Sequence, residues 1–265
     1  MKSIVLFDMD GTLTPPREKV NVHVIKALKD LSEHTHIGIV TGSGYDYLVQ
    51  QCQDLWSASG SVDPSRLILL PCNGTQVYKW SSSSLEYEKS HSASMIEELG
   101  RDDYNAILSS CIEYQSCIFA IHSLPYTGTF FHYRESMLNW CPIGRSASTE
   151  QRLAWVNADR DYKIRHRFYK LLMRDIEKCN IQATVALGGS TSFDIYPSGW
   201  DKTYALRHFP EVECWFVGDK CTGDGNDRAI YEALLPQHRA FITTSPEETI
   251  AIVSKIVENM GREGK

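Results

Sequence analysis

No run of apolar residues in this chain approaches the roughly 18 that a membrane-spanning helix requires. Positive charge is also scarce: 27 Lys and Arg face 33 Asp and Glu, for a formal net charge of −6. That balance removes the electrostatic footprint of a nucleic-acid binder and of a protein that docks on an anionic membrane. None of the eight cysteines, at 52, 72, 111, 117, 141, 179, 214 and 221, forms a Cys-x-x-Cys pair, and several lie in apolar runs. Free, inert thiols are therefore expected, not four disulfides or a zinc site. His91, His122, His132 and His166 follow no ligand spacing either. The opening MKSIVLFDMD carries acids within ten residues, unlike a signal peptide, so a cytoplasmic location is expected. There is no internal repeat and no long low-complexity segment. What is present is the balance of a globular protein, 42% apolar and 23% charged, in 265 residues that suit one large domain or two smaller ones.

The pattern along the chain favours two units. SIVLF is short and continuously apolar, as in a strand covered on both faces. VNVHVIKALKDLSE follows with Val20, Val24, Ile25, Leu28 and Leu31 at helical spacing. HIGIV, YDYLVQQCQDLW and RLILL then predict strand, helix and strand. This alternation predicts an α/β fold, a parallel sheet with helices on both faces. NGTQVYKW leaves the pattern at an Asn-Gly turn. Residues 81–186 read as a separate α+β insertion. SSSSLEYEKS is a hairpin or linker, and SASMIEELGRDDYNAILSSCIEY is helical. GTFFHYRESMLNWCPIGR holds two antiparallel strands about a turn at Glu135-Ser136. The stretch 148–179 is helical behind a Ser148–Gln151 capping box, and IQATVAL is a strand. The α/β texture is expected to return at TSFDIYP. DKTYALRHF, ECWFVGDK, DRAIYEALL, RAFITT and SPEETIAIVSKIVENM then alternate helix and strand, with Ser245 capping the last helix. The expected division is therefore 1–80 with 187–265, and 81–186.

One stretch raises a chemical question. In LFDMDGTLT, Asp8 and Asp10 follow the first buried strand, at the end where open α/β sheets bind ligands. Their repulsion is tolerable if a divalent cation shares them, and Mg²⁺ binds through one or two carboxylates, phosphate oxygens and waters. A second acidic stretch, FVGDKCTGDGND, also follows a strand, with Asp219 first and Asp227 further on. Parallel strand ends can bring both to one cation, so a metal-assisted phosphoryl-transfer site is the hypothesis the residues support. An Asx-capped turn would explain Asp-x-Asp-Gly-Thr alone. The strand before it, the second acid cluster and an intervening lysine weigh against that.

The same residues resemble a known family. DMDGT, the TGS turn, Lys202 in GWDK and GDKCTGDGND are similar to the four motifs of the haloacid dehalogenase superfamily of phosphotransferases. An α+β cap between the second and third motifs resembles the Cof-like, type IIB branch. Within it, LFDMDGTLTPPR, FHYRESMLNWCPIGRSASTEQR and GGSTSFDIYPSGWDKTYALRH look most like the eukaryotic-type α-phosphomannomutases, almost end to end. The resemblance implies a Rossmann-like core with an inserted cap, and roles by position. Asp8 would be the nucleophile that forms a phosphoaspartate, and Asp10 the general acid/base. Asp8, the Asp10 backbone carbonyl and Asp219 would hold Mg²⁺, with Asp227 in support. Lys202 would neutralise Asp8 and the transferring phosphoryl group, and Ser43, or Thr41 beside it, would hydrogen-bond that group.

A mutase also needs a phosphate site without chemistry, and a guanidinium fork suits it. Arg134, Arg145 and Arg152 match the family's cap arginines. Arg17 matches its core arginine, and Ser192 and Asp194 its residues that contact the sugar or its distal phosphate. Arg101, Arg160, Arg167 and Arg174 read as solvated surface charges. The implied activity interconverts mannose 1-phosphate and mannose 6-phosphate for GDP-mannose synthesis. It needs a hexose 1,6-bisphosphate activator, and cap closure would exclude water. A homodimer through the cap is also implied, with Ile107, Leu108, Ile112 and Tyr114 as interface or core.

The chain departs from the family at Thr41-Gly42-Ser43-Gly44, in place of Gly-Gly-Ser-Asp. It also departs at Cys72 in place of Glu, at Asp224 in place of the first Gly of Gly-Gly-Asn-Asp, and at YEALLPQHR in place of a second cation loop. A threonine at the second motif is common in the wider phosphatase branch. A Cof-like sugar-phosphate phosphatase therefore stays open as the alternative, with a non-catalytic sugar-phosphate binder behind it.

Overall fold

A computed structural model describes residues 1–58 and 60–263. In chain order the elements begin with β1 (Ser3–Phe7), α1 (Val22–Ser32), β2 (His36–Val40), α2 (Tyr45–Cys52), α3 (Asp54–Ser57), β3 (Leu67–Leu70), β4 (Gln76–Ser81) and β5 (Glu86–Ser92). There follow α4 (Met95–Leu99), α5 (Arg101–Ile121), β6 (Phe131–Tyr133), β7 (Leu138–Trp140), α6 (Thr149–Tyr162), α7 (Ile164–Lys178), β8 (Ala183–Gly188) and β9 (Ser192–Pro197). The chain closes with β10 (Glu213–Gly218), α8 (Arg228–Leu234), β11 (Ala240–Ile242) and α9 (Pro246–Glu263). Among the described residues no helix is long and apolar enough to cross a membrane, and all eight cysteines are free.

The chain divides into two compact units, Met1–Ser92 with Trp200–Lys265, and Ala93–Gly199. The first is built on a seven-stranded sheet in the order β11-β10-β1-β2-β3-β4-β5. Its five strands from β11 to β3 run parallel, and β4 and β5 are antiparallel. β1, β2 and β3 are buried almost throughout, as expected for strands covered on both faces. One face packs Val5, Phe7, Ile37 and Ile39 with α1, α2 and α9 residues such as Leu28, Leu48 and Ile256. The other packs Ile4, Leu6, Val40 and Phe216 with Ala205 and Ile230.

Both expected boundaries move. SSSSLEYEKS is the tip and second strand of a hairpin in the main sheet, not the start of the insertion. β5 is an edge strand on which only Tyr87 is buried, so its polar alternation reads as a linker although it pairs with β4 along its length. Charged side chains are a usual guard on such an edge. TSFDIYP does not return to the parallel sheet. It forms β9, the strand between β7 and β8 in a four-stranded antiparallel sheet ordered β6-β7-β9-β8. Phe193 and Ile195 face the core of the inserted unit while Asp194 lies on the other face, the period-2 pattern of a half-covered strand.

The inserted unit packs α5 and α7 on this sheet through Ile107, Tyr114, Phe168 and Leu172, with the Trp140 and Phe193 rings stacked 4.5 Å apart beneath them. Ile107 and Tyr114 are therefore core residues, Leu108 packs against that core, and Ile112 is 53% exposed. The expected capping box at Ser148 and Gln151 is present.

After β3 the chain makes a turn in which Cys72, Asn73 and Gly74 all have positive φ, at 52°, 62° and 84°. The turn grips the 3-10 segment 202–208. Asn73 Nδ2 donates to the Trp200 carbonyl at 3.1 Å, and the Gly74 carbonyl lies 2.7 Å from His208 Nε2. A Cβ at Gly74 would stand 2.7 Å from Ala205 Cα. At Gly60, where φ is 77°, a Cβ would meet nothing within 4 Å. Both Gly→Ala changes carry the left-handed strain of about 1–3 kcal/mol, but only Gly74→Ala adds a backbone clash. Urea denaturation should show Gly74→Ala as the more destabilised of the two.

Candidate active site

In the main unit, Asp8 and Asp219 leave the C-terminal ends of neighbouring parallel strands. β1 and β10 pair up to Phe7 and Val217, and the Asp8 N–H donates to the Val217 carbonyl at 3.0 Å. Asp8, Asp219 and Asp227 bring one carboxylate oxygen each to within 4.8 Å of one another. The convergence expected of the two acidic stretches is thus met in space.

Lys202 makes this concentration of charge tolerable. Its side chain is fully buried, and Nζ donates to Asp8 Oδ1 and to Asp227 Oδ1. Burial works against its charge, but Asp227 and Asp8 outweigh that and hold the ammonium above its ordinary pKa. Burial first, then the charge of Asp227, pushes the Asp8 carboxyl up to about 7 against the pull of Lys202. Burial likewise raises Asp219, whose nearest cation is Lys220 Nζ at 3.7 Å from Oδ2.

The three acids do different things. Asp227 is fully buried with both oxygens engaged, Oδ1 by Lys202 and Oδ2 by the Lys220 N–H at 3.0 Å. It holds the lysine and the loop. Asp219 Oδ1 is buried and accepts no hydrogen bond among the described residues. Gly11, at φ 90°, makes room for this carboxylate, since a Cβ there would lie 2.4 Å from Asp219 Oδ2. An orphaned buried oxygen beside a second carboxylate fits a hard divalent cation, whose ligands are oxygens. Asp8 and Asp219 could hold it.

The Asp10 side chain lies outside the acid trio. Its Oδ1 accepts from the Arg17 N–H and from Gln51 Nε2, both at 3.3 Å. Gln51 is 3% exposed and accepts the Thr14 hydroxyl at 2.7 Å on its other end. Sequence reading missed Gln51, although a signal exists: it breaks the apolar face of Leu48, Cys52 and Leu55. Arg17 sits at φ 69° with an exposed side chain, and its backbone rather than its guanidinium reaches Asp10.

The second-motif turn is tied to the turn after β3, where the Cys72 and Asn73 N–H groups donate to the Ser43 and Thr41 carbonyls at 2.9 and 2.8 Å. Thr41 Oγ1 accepts the Ser43 N–H at 3.1 Å, and Gly44 starts α2 without a side-chain cap. Asp224 is exposed and is not one of the clustered acids.

In the inserted unit, Arg134, Arg145, Arg152, Ser192 and Asp194 come together about β7, β9 and the 141–147 turn. Arg134 Nη1 is 4.0 Å from Asp194 Oδ1. Arg145 Nη1 donates to Asn139 Oδ1 at 3.0 Å, and Arg152 donates to the Arg145 carbonyl and the Thr191 hydroxyl, both at 2.8 Å. Desolvation first, then the charge of Arg134, lowers the Arg145 pKa, while Asp194 opposes this. Arg134 and Arg145 lie by the one carboxylate of Asp194 and Arg152 lies by Arg145, which leaves excess positive charge of the kind that suits a phosphate dianion. Arg160 and Arg174, by contrast, are exposed and pair with the adjacent Asp161 and Asp175.

A sequence model of eukaryotic phosphomannomutase matches residues 24–259. The chain is 34% identical to the phosphomannomutase of Schizosaccharomyces pombe over 259 residues, covering 96% of this chain and 94% of that one. It is also 34% identical to that of Saccharomyces cerevisiae over 260 residues, covering 96% and 94%.

The chain belongs to the eukaryotic phosphomannomutase family.

Its fold is that of the haloacid dehalogenase superfamily. A sugar phosphatase of subclass IIB superposes with a TM-score of 0.56 at 14% identity, over 98% of this chain and 99% of that one. Plasmodium falciparum IMP-nucleotidase superposes at 0.63 and 15% identity, over 97% of this chain and 68% of that one. As a phosphomannomutase the chain is an enzyme, and the metal fit becomes testable. Saturating Mg²⁺ at about 100 times its Kd should stabilise the fold by about 2.7 kcal/mol. Differential scanning fluorimetry should show a rise in Tm with Mg²⁺ that disappears in Asp219→Ala.

Proposed function

We propose that this enzyme interconverts mannose 1-phosphate and mannose 6-phosphate through a phosphoaspartate on Asp8, with Mg²⁺ as cofactor and a hexose 1,6-bisphosphate as activator. Its product would feed GDP-mannose synthesis in the cytoplasm. The observation that carries the reading is the arginine cluster of the inserted unit. Guanidinium groups bind phosphate without attacking it, so the cluster suits the phosphate that does not react.

The cycle follows from the residues. Asp8, in its ionised form and paired with Lys202, attacks the phosphorus of a bisphosphate. The sugar oxygen leaves and takes a proton from Asp10. Mannose 1-phosphate then binds with its own phosphate on Arg134, Arg145 and Arg152, and Asp194 and Ser192 receive the sugar. Its 6-hydroxyl oxygen attacks phospho-Asp8, the Asp8–phosphoryl bond breaks, and the hydroxyl proton passes to Asp10. The bisphosphate turns end for end and donates its other phosphate back to Asp8. Asp10 suits the proton step because its carboxyl is held by the Arg17 N–H and the Gln51 amide, outside the acid trio and apart from the Lys202 bridge between Asp8 and Asp227. Lys202 and the second-motif turn at Thr41 and Ser43 face the negative charge of the moving phosphoryl group. Mg²⁺, held by Asp8, Asp219 and the Asp10 carbonyl with Asp227 in support, would supply charge neutralisation on the phosphoryl oxygens. We further propose a homodimer through the inserted unit, where α5 exposes Ile112 and Phe119 at i and i+7.

A phosphatase would let water attack phospho-Asp8 instead, and the Thr41 departure is what favours that second reading. The test is to incubate the protein with Mg²⁺ and mannose 1-phosphate, with and without catalytic glucose 1,6-bisphosphate, and to record mannose 6-phosphate and free phosphate together. Activator-dependent mannose 6-phosphate with little free phosphate is expected. Arg145→Ala should lower kcat/KM by about 10- to 100-fold, the weight of a charged hydrogen bond. Stoichiometric free phosphate without activator would make it a phosphatase.

A further inference from the structure

Asn139 lies in the middle of β7, directly opposite Asp194 of β9, and is 3% exposed. Its neighbours Leu138 and Trp140 face the core of the inserted unit, so Asn139 shares the opposite face with Asp194. Both ends of its amide are engaged. Oδ1 accepts from Arg145 Nη1 at 3.0 Å. Nδ2 donates to Asp194 Oδ1 at 2.7 Å and to the Phe193 carbonyl at 3.4 Å. Asn is the shortest neutral side chain that accepts at one end and donates at the other. Aspartate here would attract Arg145 and repel Asp194. Leucine would release both.

The carboxylate side of the bridge is equally constrained. A Cβ on Gly188 would stand 2.5 Å from Asp194 Oδ2, so the bare glycine in β8 leaves the space that this oxygen uses. Asp194 is thus held by Asn139 on one side, approached by Arg134 at 4.0 Å, and accommodated by Gly188 on the other. A planar amide cannot shift one end without shifting the other. The guanidinium and the carboxylate are therefore mechanically linked.

We propose that Asn139 is a positioning residue that couples phosphate recognition by Arg145 to sugar-hydroxyl recognition by Asp194. The inference rests on the phosphomannomutase reading of this surface and adds to it a residue that touches no ligand. Coupling is reciprocal: a phosphate that draws on Arg145 fixes Asp194 for the sugar, and a sugar that engages Asp194 fixes Arg145 for the phosphate.

The experiment is a set of steady-state measurements on Asn139→Leu, Arg145→Ala, Asp194→Ala and the two double variants that contain Asn139→Leu. Asn139→Leu should raise KM for mannose 1-phosphate about tenfold, within the range for residues sharing one hydrogen-bond network, with kcat changed by less than about threefold. Its kcat/KM ratio between mannose 1-phosphate and glucose 1-phosphate should move to that of Asp194→Ala. Adding Asn139→Leu to either alanine variant should cost little more. Asn139→Asp, which keeps the size, should lose the sugar preference while inorganic phosphate still competes as it does against the wild type. Strict additivity in the double variants, or a fall in kcat with KM and sugar ratio unchanged, would overturn the coupling. If Arg145→Ala itself left KM unchanged, the assignment of the arginine surface would fail instead.

Discussion

The Lys202 ammonium is the point on which the core chemistry depends. It comes from a segment 194 residues beyond Asp8 in the chain. Without its charge, Asp8 and Asp227 would be two buried carboxylates facing each other, an arrangement that proteins tolerate only by protonation or rearrangement. With it, the loop after β10, the end of β1 and the 202–208 turn are held as one cluster. The Asn73 and Gly74 contacts matter for the same reason, because they fix the segment that delivers the lysine. Three acids and one lysine still leave negative charge in a buried place, so the core fold itself creates the demand that a divalent cation would meet.

The inserted unit solves a different problem with the same economy. Strand alternation gives its sheet one face of Leu138, Trp140, Phe193 and Ile195, and another carrying Asn139 and Asp194. The apolar face makes a core with α5 and α7. The polar face gathers guanidinium groups without putting them into that core, so positive charge accumulates at modest desolvation cost. The strand period supplies Asn139 and Asp194, while the arginines come from the two turns flanking β7 and from α6.

How much of this was legible in the sequence depended on whether the signal was local. The apolar strands β1, β2 and β3, the helix behind Asn21 and the Ser148 capping box are governed by nearest neighbours, and they stand where their patterns put them. The boundaries did not, for a tertiary reason. β5 is polar because it is an edge strand, and β9 resembles a core strand until its partners are known. For the acid cluster, strand-end positions were enough to expect convergence, but not the division of labour within it. That Asp227 has both oxygens committed while Asp219 has one orphaned follows from a backbone N–H and a distant lysine, neither of which leaves a mark in the sequence. Gln51 and Asn139 were passed over because a polar residue inside an apolar pattern is easily read as noise. Here each such break carries a hydrogen-bonded bridge to a proposed site residue.

The departures from the family pattern bear on function through where they fall. Thr41, Gly44 and Cys72 belong to the turns after β2 and β3, and Asp224 to an exposed part of the last loop. None is a member of the clustered acids, and none interrupts the Lys202 bridge. The clustered acids and the lysine are the parts that the proposed mutase and a phosphatase would share, so their presence speaks only to phosphoryl transfer. What would separate the two outcomes is which hydroxyl reaches the proposed phosphoaspartate first, that of a sugar or that of water. Preference for the sugar has to be supplied by binding groups that hold it in attacking geometry. In the proposed mutase those groups would be the arginines and Asp194 of the inserted unit, which lie near one another there. The deviations thus lie beside the clustered acids and Lys202, and the arginine cluster of the inserted unit is what the proposed mutase would need and a simple hydrolase would not.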